Sequence, residues 1–269
     1  MLSDFIDNCM KHDVLTLAAA LAFYTTLSLA PLLLLMISVL GFFGPDSAHQ
    51  LMVQVDSLMG PQAAEAVKMI VENAANKPLT ASAAGIIGII AIVFSASGVF
   101  SQLQSSLNII WDSSQVKPGG GFQLFLKNRI FSVGIVVVFI FLAVVSLSVN
   151  LFLSMILPAT ENIWKWMDAL ISLGVFSYLF ALVFRYLPDR HTPWKEALVG
   201  GALTSILFSF GKFLIGVYLG SSAIGSAYGA AGSLIVLLTW VYYSSIIIFV
   251  GAEFTKTAFT SIDIEGIAF

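Results

Sequence analysis

Ser97, Ser101, Gln104, Asn108 and Asp112 recur every three or four residues, so at about 100° per residue they fall on one face of a helix. Val99, Leu103 and Ile110 lie roughly opposite, while Gln102 and Ser106 interrupt the pattern. Two further stripes have helical spacing: Ala20, Tyr24, Ser28 and Pro31, and Gly201, Ser205, Ser209, Lys212 and Gly216. Embedded in apolar sequence, such groups do one of two things. They line a polar route, or they let helices approach closely and hydrogen-bond across the contact. Lys212 poses the sharpest choice. Either its long stem carries the ammonium out to an interface, or the cation faces the protein interior and meets a polar group or an anionic substrate.

Glu253 lies at the far end of another apolar run, at a different depth from Lys212. Arg185 and Arg129 are its expected ion-pair partners, either as a structural pair or as a gate latch. Between the fifth and sixth apolar runs, Gly216, Gly220, Gly225, Gly229 and Gly232 punctuate an uncharged connection. It suits a re-entrant segment or a loop equally well. Catalytic and metal chemistry have little support. The chain has no HExxH pair, no Cys/His cluster and no P-loop pattern. Its single cysteine is Cys9, and His12, His49 and His191 are scattered outside the apolar runs. No catalytic residue, metal or cofactor is expected.

The elements that must hold these groups are transmembrane helices. Of the 269 residues, 58% are apolar and 10% are charged, against about 25% charged in soluble domains. Six apolar runs approach the ~20 residues needed to cross a bilayer: Val14–Phe43, Ser82–Trp111, Ile130–Leu157, Ala169–Leu187, Ala197–Leu219 and Ser233–Phe254. The expected fold is all-α, a polytopic membrane helix bundle in one membrane domain, residues 1–269. The first run exceeds what a perpendicular crossing needs, and Pro31 is its expected kink point.

Loop charge sets the expected orientation. Lys11, Lys117, Lys127, Arg129, Arg185, Arg190, Lys195 and Lys256 fall on one side, against Lys68, Lys77 and Lys165 on the other. The richer side should be cytoplasmic, with both termini there. Leu2, Phe5, Ile6, Cys9 and Met10 predict a short interfacial helix before the first span. The first outer loop carries two amphipathic stretches separated by Gly60-Pro61. One stripes Leu51, Met52, Val55, Leu58 and Met59, the other Ala64, Val67, Ile70 and Val71. They cap the bundle or form a gate or docking surface. A net charge of −3 argues against a nucleic-acid partner.

Three segments resemble one known family. Leu17–Leu40 is similar to the opening helix of the YihY/virulence factor BrkB family. Phe94–Asp112, with its small residues and LN..W ending, resembles that family's second helix. Tyr228–Lys256, with its YG start, W-x-Y centre and GAEF ending, resembles the last. Matching positions are Tyr24, Ser28, Pro31, Asn108, Trp111, Tyr228, Gly229, Trp240, Tyr242 and Glu253, whereas Lys212 belongs to no motif of the family. The resemblance implies a bacterial inner-membrane protein of six helices. The family's former label, ribonuclease BN, finds no support in these residues.

Two function classes fit. One is a transporter or flippase-like exporter of an amphipathic, anionic envelope substrate such as a lipid. Its pathway would use Tyr24, Ser28, Ser101, Asn108, Asp112 and Lys212, with Pro31, Arg129, Arg185, Gly229 and Glu253 in structural or gating roles. The other is a non-transporting scaffold for envelope integrity. Membrane lipids are the expected partners, and the small-residue faces would also suit a homo-oligomer.

Overall fold

A computed structural model describes residues 2–40, 52–53, 55–56, 59–75, 98–113, 161–190, 192–221 and 232–266. Every regular element among them is helical: α1 (Leu2–Lys11), α2 (Val14–Leu40), α3 (Pro61–Ala75), α4 (residues 98–110), α5 (Glu161–Tyr186), α6 (Trp194–Ser221) and α7 (Gly232–Gly266). Within α6 and α7, the segments Trp194–Ser221 and Gly232–Phe259 are each 28 residues and apolar enough to cross a bilayer. α1 and α2 pass the same test only as a bent pair, meeting at 50°. The expected third span, Ile130–Leu157, lies outside the described residues, as do Arg129, Gly229 and the first part of the second span. The fourth starts earlier than its hydropathy suggests, at Glu161, and the last continues as helix to Gly266.

Helix ends are set locally. α1 stops where Asp13 turns left-handed, with φ 49°, and the Asp13 carbonyl then accepts the first bond of α2 from Leu17 N. One residue thus ends one helix and starts the next, a position where aspartate is tolerated better than most residues. α2 continues as helix through Pro31, and the 50° bend lies at residues 12–13. α4 ends in a Schellman turn: Ser113 N bonds Asn108 O at 2.9 Å and Asp112 N bonds Ile109 O at 3.1 Å. Asp112 occupies the left-handed position, φ 48°, where glycine is usual.

The tightest contact joins α6 to α7. Thr204 Oγ1 donates to Gly200 O on its own helix, and Thr255 Oγ1 donates to Gly251 O on its own. Each threonine then fills the space over the other helix's glycine, so a methyl group at Gly200 or Gly251 would overlap Thr255 or Thr204. Gly201 faces the α5 backbone, where an added Cβ would collide with Ser177 O and Ala181 N. Ser205 Oγ donates across that seam to Leu173 O at 3.1 Å. This is small-residue packing of membrane helices.

α3 begins at Pro61, directly after the left-handed Gly60, φ 79°. It lies across α2, α6 and α7, burying Ala63, Ala66 and Val67 against Ala22, Leu237, Ile215 and Leu219. Of the expected stripe, Val67 is buried and Ala64 is half-buried, and the buried face also takes in Ala63 and Ala66. At the opposite end, Val14, Ala18, Leu21, Leu107, Ile110, Trp111, Phe184, Leu187, Phe249 and Ala252 form one apolar cluster. Four helices and the α1–α2 corner meet there, and that floor carries the site described next.

Candidate functional site

The α1–α2 corner brings His12 to the end of the bundle, where its side chain is 5% exposed. His12 Nδ1 is 2.9 Å from Glu253 Oε2 on α7, and His12 Nε2 is 3.4 Å from Asp112 Oδ1 at the end of α4. Glu253 is fully buried, and its second oxygen, Oε1, has no hydrogen-bond partner among the described residues. Asp112 is half-exposed and is held from two more directions. Lys256 Nζ donates to Oδ2, and Lys11 Nζ lies 3.8 Å from Oδ1. Burial raises the Asp112 carboxyl, but the hydrogen bond and charge of Lys256, then Lys11 and His12, outweigh it and leave it below its ordinary value of 3.8. Asn8 Nδ2 donates to Thr257 Oγ1 beside the cluster, tying α1 to α7 again.

This arrangement corrects the partners expected for Glu253. Its partner is His12, not Arg185. Arg185 NH1 donates instead to Thr192 O at 2.6 Å, and the guanidinium lies 4.6 Å from the Trp194 ring centre and 5.5 Å from that of Tyr186. The α5–α6 turn brings Trp194 back beside Arg185, and a guanidinium over aromatic faces is a favourable alternative to an ion pair.

The polar stripe on α4 divides. Asn108 Nδ2 donates to Asp189 Oδ2 at 2.7 Å, and Asn108 Oδ1 accepts from Asp189 N at 2.8 Å. Gln104 Nε2 donates to the other Asp189 oxygen, and Ser113 Oγ donates to Asn108 Oδ1. These residues pin the α5–α6 turn to the end of α4. Asp112, one turn further, serves the ionic cluster, and Ser101 is exposed. Tyr24 is exposed and lies over Gly98, whereas Ser28 is buried and bonded to Tyr24 O of its own helix. Gly201 and Ser205 belong to the α5–α6 seam. Lys212 is half-buried on α6, beside Gly211, which packs against Tyr243 and Ile247 of α7. That is six to ten residues from Glu253, roughly 9–15 Å along the helix. The three stripes are thus used separately and do not meet at one point among the described residues.

Sequence reasoning missed His12, Lys11, Lys256 and Asp189. Glu253 and Lys256 share a face of α7 at i,i+3, a signal that was readable. Nothing in the sequence marks His12 or Asp189, because their partners are 241 and 81 residues away.

A family model described as Virulence factor BrkB matches residues 5–263. A UPF0761 membrane protein of Halorhodospira halophila is 27% identical over 257 residues, covering 93% of this chain and 54% of the relative. One from Delftia acidovorans is 27% identical over 254 residues, covering 93% and 59%. One from Aliivibrio fischeri is 28% identical over 265 residues, covering 94% and 81%. The chain therefore spans little more than half the length of the first two. No solved structure matches.

Proposed function

The chain belongs to the virulence factor BrkB family of membrane proteins, and from that premise we propose that it is a transporter rather than an enzyme. It moves an amphipathic anionic envelope substrate, such as a lipid, across the bacterial inner membrane. The observation that carries this reading is the ionic cluster at one end of the bundle. A fully buried Glu253 faces a buried His12 where α1, α2, α4 and α7 converge. Ionisable groups in a membrane bundle are costly to keep, so they are functional candidates by default. Asp112 adds to the argument. It holds a left-handed position at a cost of about 1–2 kcal/mol relative to glycine, and its carboxylate reaches two lysines and the His12 ring.

On this reading the cluster is the cytoplasmic gate, with both termini on that side. Tyr24, Ser101, Asn108 and Asp112 border the path on the cytoplasmic half, and Lys212 attracts the head group towards the outer half. Full-length protein in vesicles containing a trace of fluorescent phosphatidylglycerol tests the proposal, with bleaching by a membrane-impermeant reductant as the readout. Wild type should make the inner-leaflet probe accessible several-fold faster than empty vesicles, and Lys212→Ala should remove most of that gain. Equal bleaching of empty and wild-type vesicles would end the lipid reading.

A specific observation favours a second reading, the scaffold. Asn108 uses both amide atoms on Asp189, and Ser28 is satisfied by its own helix. These two pathway candidates already have structural work. If Asn108→Ala and Ser28→Ala left every transport readout intact while Lys212→Ala abolished it, the path would be narrower than drawn. If all three were silent, the scaffold would stand.

A further inference from the structure

Both nitrogens of the His12 ring lie near carboxylate oxygens: Nδ1 is hydrogen-bonded to Glu253 Oε2 at 2.9 Å, and Nε2 is 3.4 Å from Asp112 Oδ1 without forming a hydrogen bond. A neutral imidazole carries one N–H and one lone pair, and a lone pair facing a carboxylate oxygen is repelled. With both carboxylates ionised, the geometry is attractive on both sides only for the imidazolium. Imidazole is also the side chain that gains and loses a proton near physiological pH. Glu253 adds a second, independent observation. It is fully buried, and its Oε1 has no hydrogen-bond partner among the described residues.

The surrounding charges are unevenly divided. From α1 the pair is faced by Cys9 and Lys11, with Asp13 on the corner itself. Asp112 faces it from the end of α4, and Lys256 from α7. Lys11 and Lys256 both address Asp112. Among the described residues, the ionisable side chain in contact with Glu253 is His12. Cys9 is neutral at physiological pH, since burial and then the Glu253 charge push its thiol up to about 11.

We infer that the His12–Glu253 pair is a proton-binding site whose occupancy sets how firmly the α1–α2 corner is held to α4. With the proton bound, the ring donates to Glu253 and attracts Asp112. When the proton leaves, Nδ1–H keeps Glu253 while the bare Nε2 repels Asp112. Asp112 stays with Lys256 and Lys11, and the corner loosens from α4. The joint is suited to this, because the break between α1 and α2 is 50° and the residues flanking the contact, Asp13 and Asp112, both have positive φ. As a coupling site for transport the pair rests on the reading above, whereas proton binding does not require it.

The test uses the full chain in lipid nanodiscs with 15N-labelled histidine. His49→Gln and His191→Gln leave His12 as the observed ring. Nitrogen shifts are followed over about pH 5 to 9, the range in which imidazole titrates. Both nitrogens should be protonated at the acid end and the Nε2 proton should leave as pH rises. Glu253→Gln and Asp112→Asn should each weaken proton binding several-fold, moving the transition to lower pH. Hydrogen exchange of α1 amides, corrected for the intrinsic pH dependence, should speed up several-fold across the same transition in wild type and be flat in His12→Gln. A ring that keeps one proton throughout, or a transition indifferent to Glu253→Gln, overturns the site. A transition without any change in α1 exchange overturns its control of the corner. Lipid translocation can fail while these signals persist, in which case the transport reading falls and the proton site remains.

Discussion

The α5–α6–α7 seam and the ionic end cluster are built from residues that look alike in sequence, small or polar groups inside apolar runs. They solve different problems. In the seam, each hydroxyl of Thr204 and Thr255 bonds the carbonyl four residues back on its own helix, and glycine admits the neighbouring side chain. Both hydroxyls have an acceptor on their own helix, so their polarity serves close approach. At the end cluster, His12, Asp112, Glu253, Lys11 and Lys256 meet from separate elements, and Glu253 Oε1 and His12 Nε2 remain without a hydrogen bond. A polar group in a membrane helix is therefore a poor guide to function until its partner is known. Satisfaction within one helix indicates packing. Ionic contact across helices, with atoms left over, indicates a site.

The contrast can be broken most forcefully at His12. If Glu253 is held as an ion by His12, His12→Ala leaves it buried without its partner and should cost about 3–5 kcal/mol in unfolding by mixed detergent micelles. Adding Glu253→Leu should recover most of it. A cost below about 1 kcal/mol would mean that Glu253 is not held as an ion. Gly201→Val attacks the seam and should cost about 1–3 kcal/mol, since the new side chain collides with α5 backbone that cannot rotate away. Ser205→Ala, at the same seam, should cost no more than about 1 kcal/mol, and a larger loss would show that the hydroxyl rather than the close approach holds it.

Asn108→Ala removes both bonds to Asp189 and should cost about 1 kcal/mol. Its clearer sign is faster proteolysis within the α5–α6 turn at residues 187–193. Unchanged cleavage would sever the proposed link between α4 and that turn. Acid should act on Asp112 alone to a smaller extent, because the group is half-exposed and screened. Its folded pKa lies below 3.8, so its contribution is fully present above that value and is lost as pH falls through the lower folded one. Lys256→Gln should flatten that acid limb, and an unaltered limb would assign it to another carboxylate. Smallest of all, Cys9 should be alkylated slowly at neutral pH, because burial and then the Glu253 charge push its thiol up to about 11. Glu253→Gln should raise the rate a few-fold, and a fall would contradict the placement of that charge.

Much of the helical framework was legible because hydrophobic runs and helix-ending residues are local. The start of α2 at Val14, the break at Gly60-Pro61 and the existence of α5, α6 and α7 all follow from such signals. The burial of Ala63 and Ala66 on α3 was not legible, since these alanines are buried by what α2, α6 and α7 offer rather than by their own hydropathy. Of the candidate site, Asp112 is legible from its place on the polar stripe of α4 and Glu253 from its place at a run end, while nothing local marks their partner His12. Arg185 was assigned to Glu253 on charge and depth, and the fold instead turned Trp194 back onto it.

Composition and run length by themselves determined that this chain forms apolar helices for a membrane, because transfer of side chains out of water depends on the residues and hardly on their neighbours. Small residues at helical spacing also marked one close approach, at Gly201 and Ser205, although Ser209 of the same stripe is exposed and Gly216 has open space. Only the tertiary structure decided which polar groups pack and which meet. A hydrogen bond or ion pair needs two groups within a few ångströms, and residues 12, 112 and 253 acquire that proximity only when a corner, a helix end and a distant helix are folded onto one apolar floor.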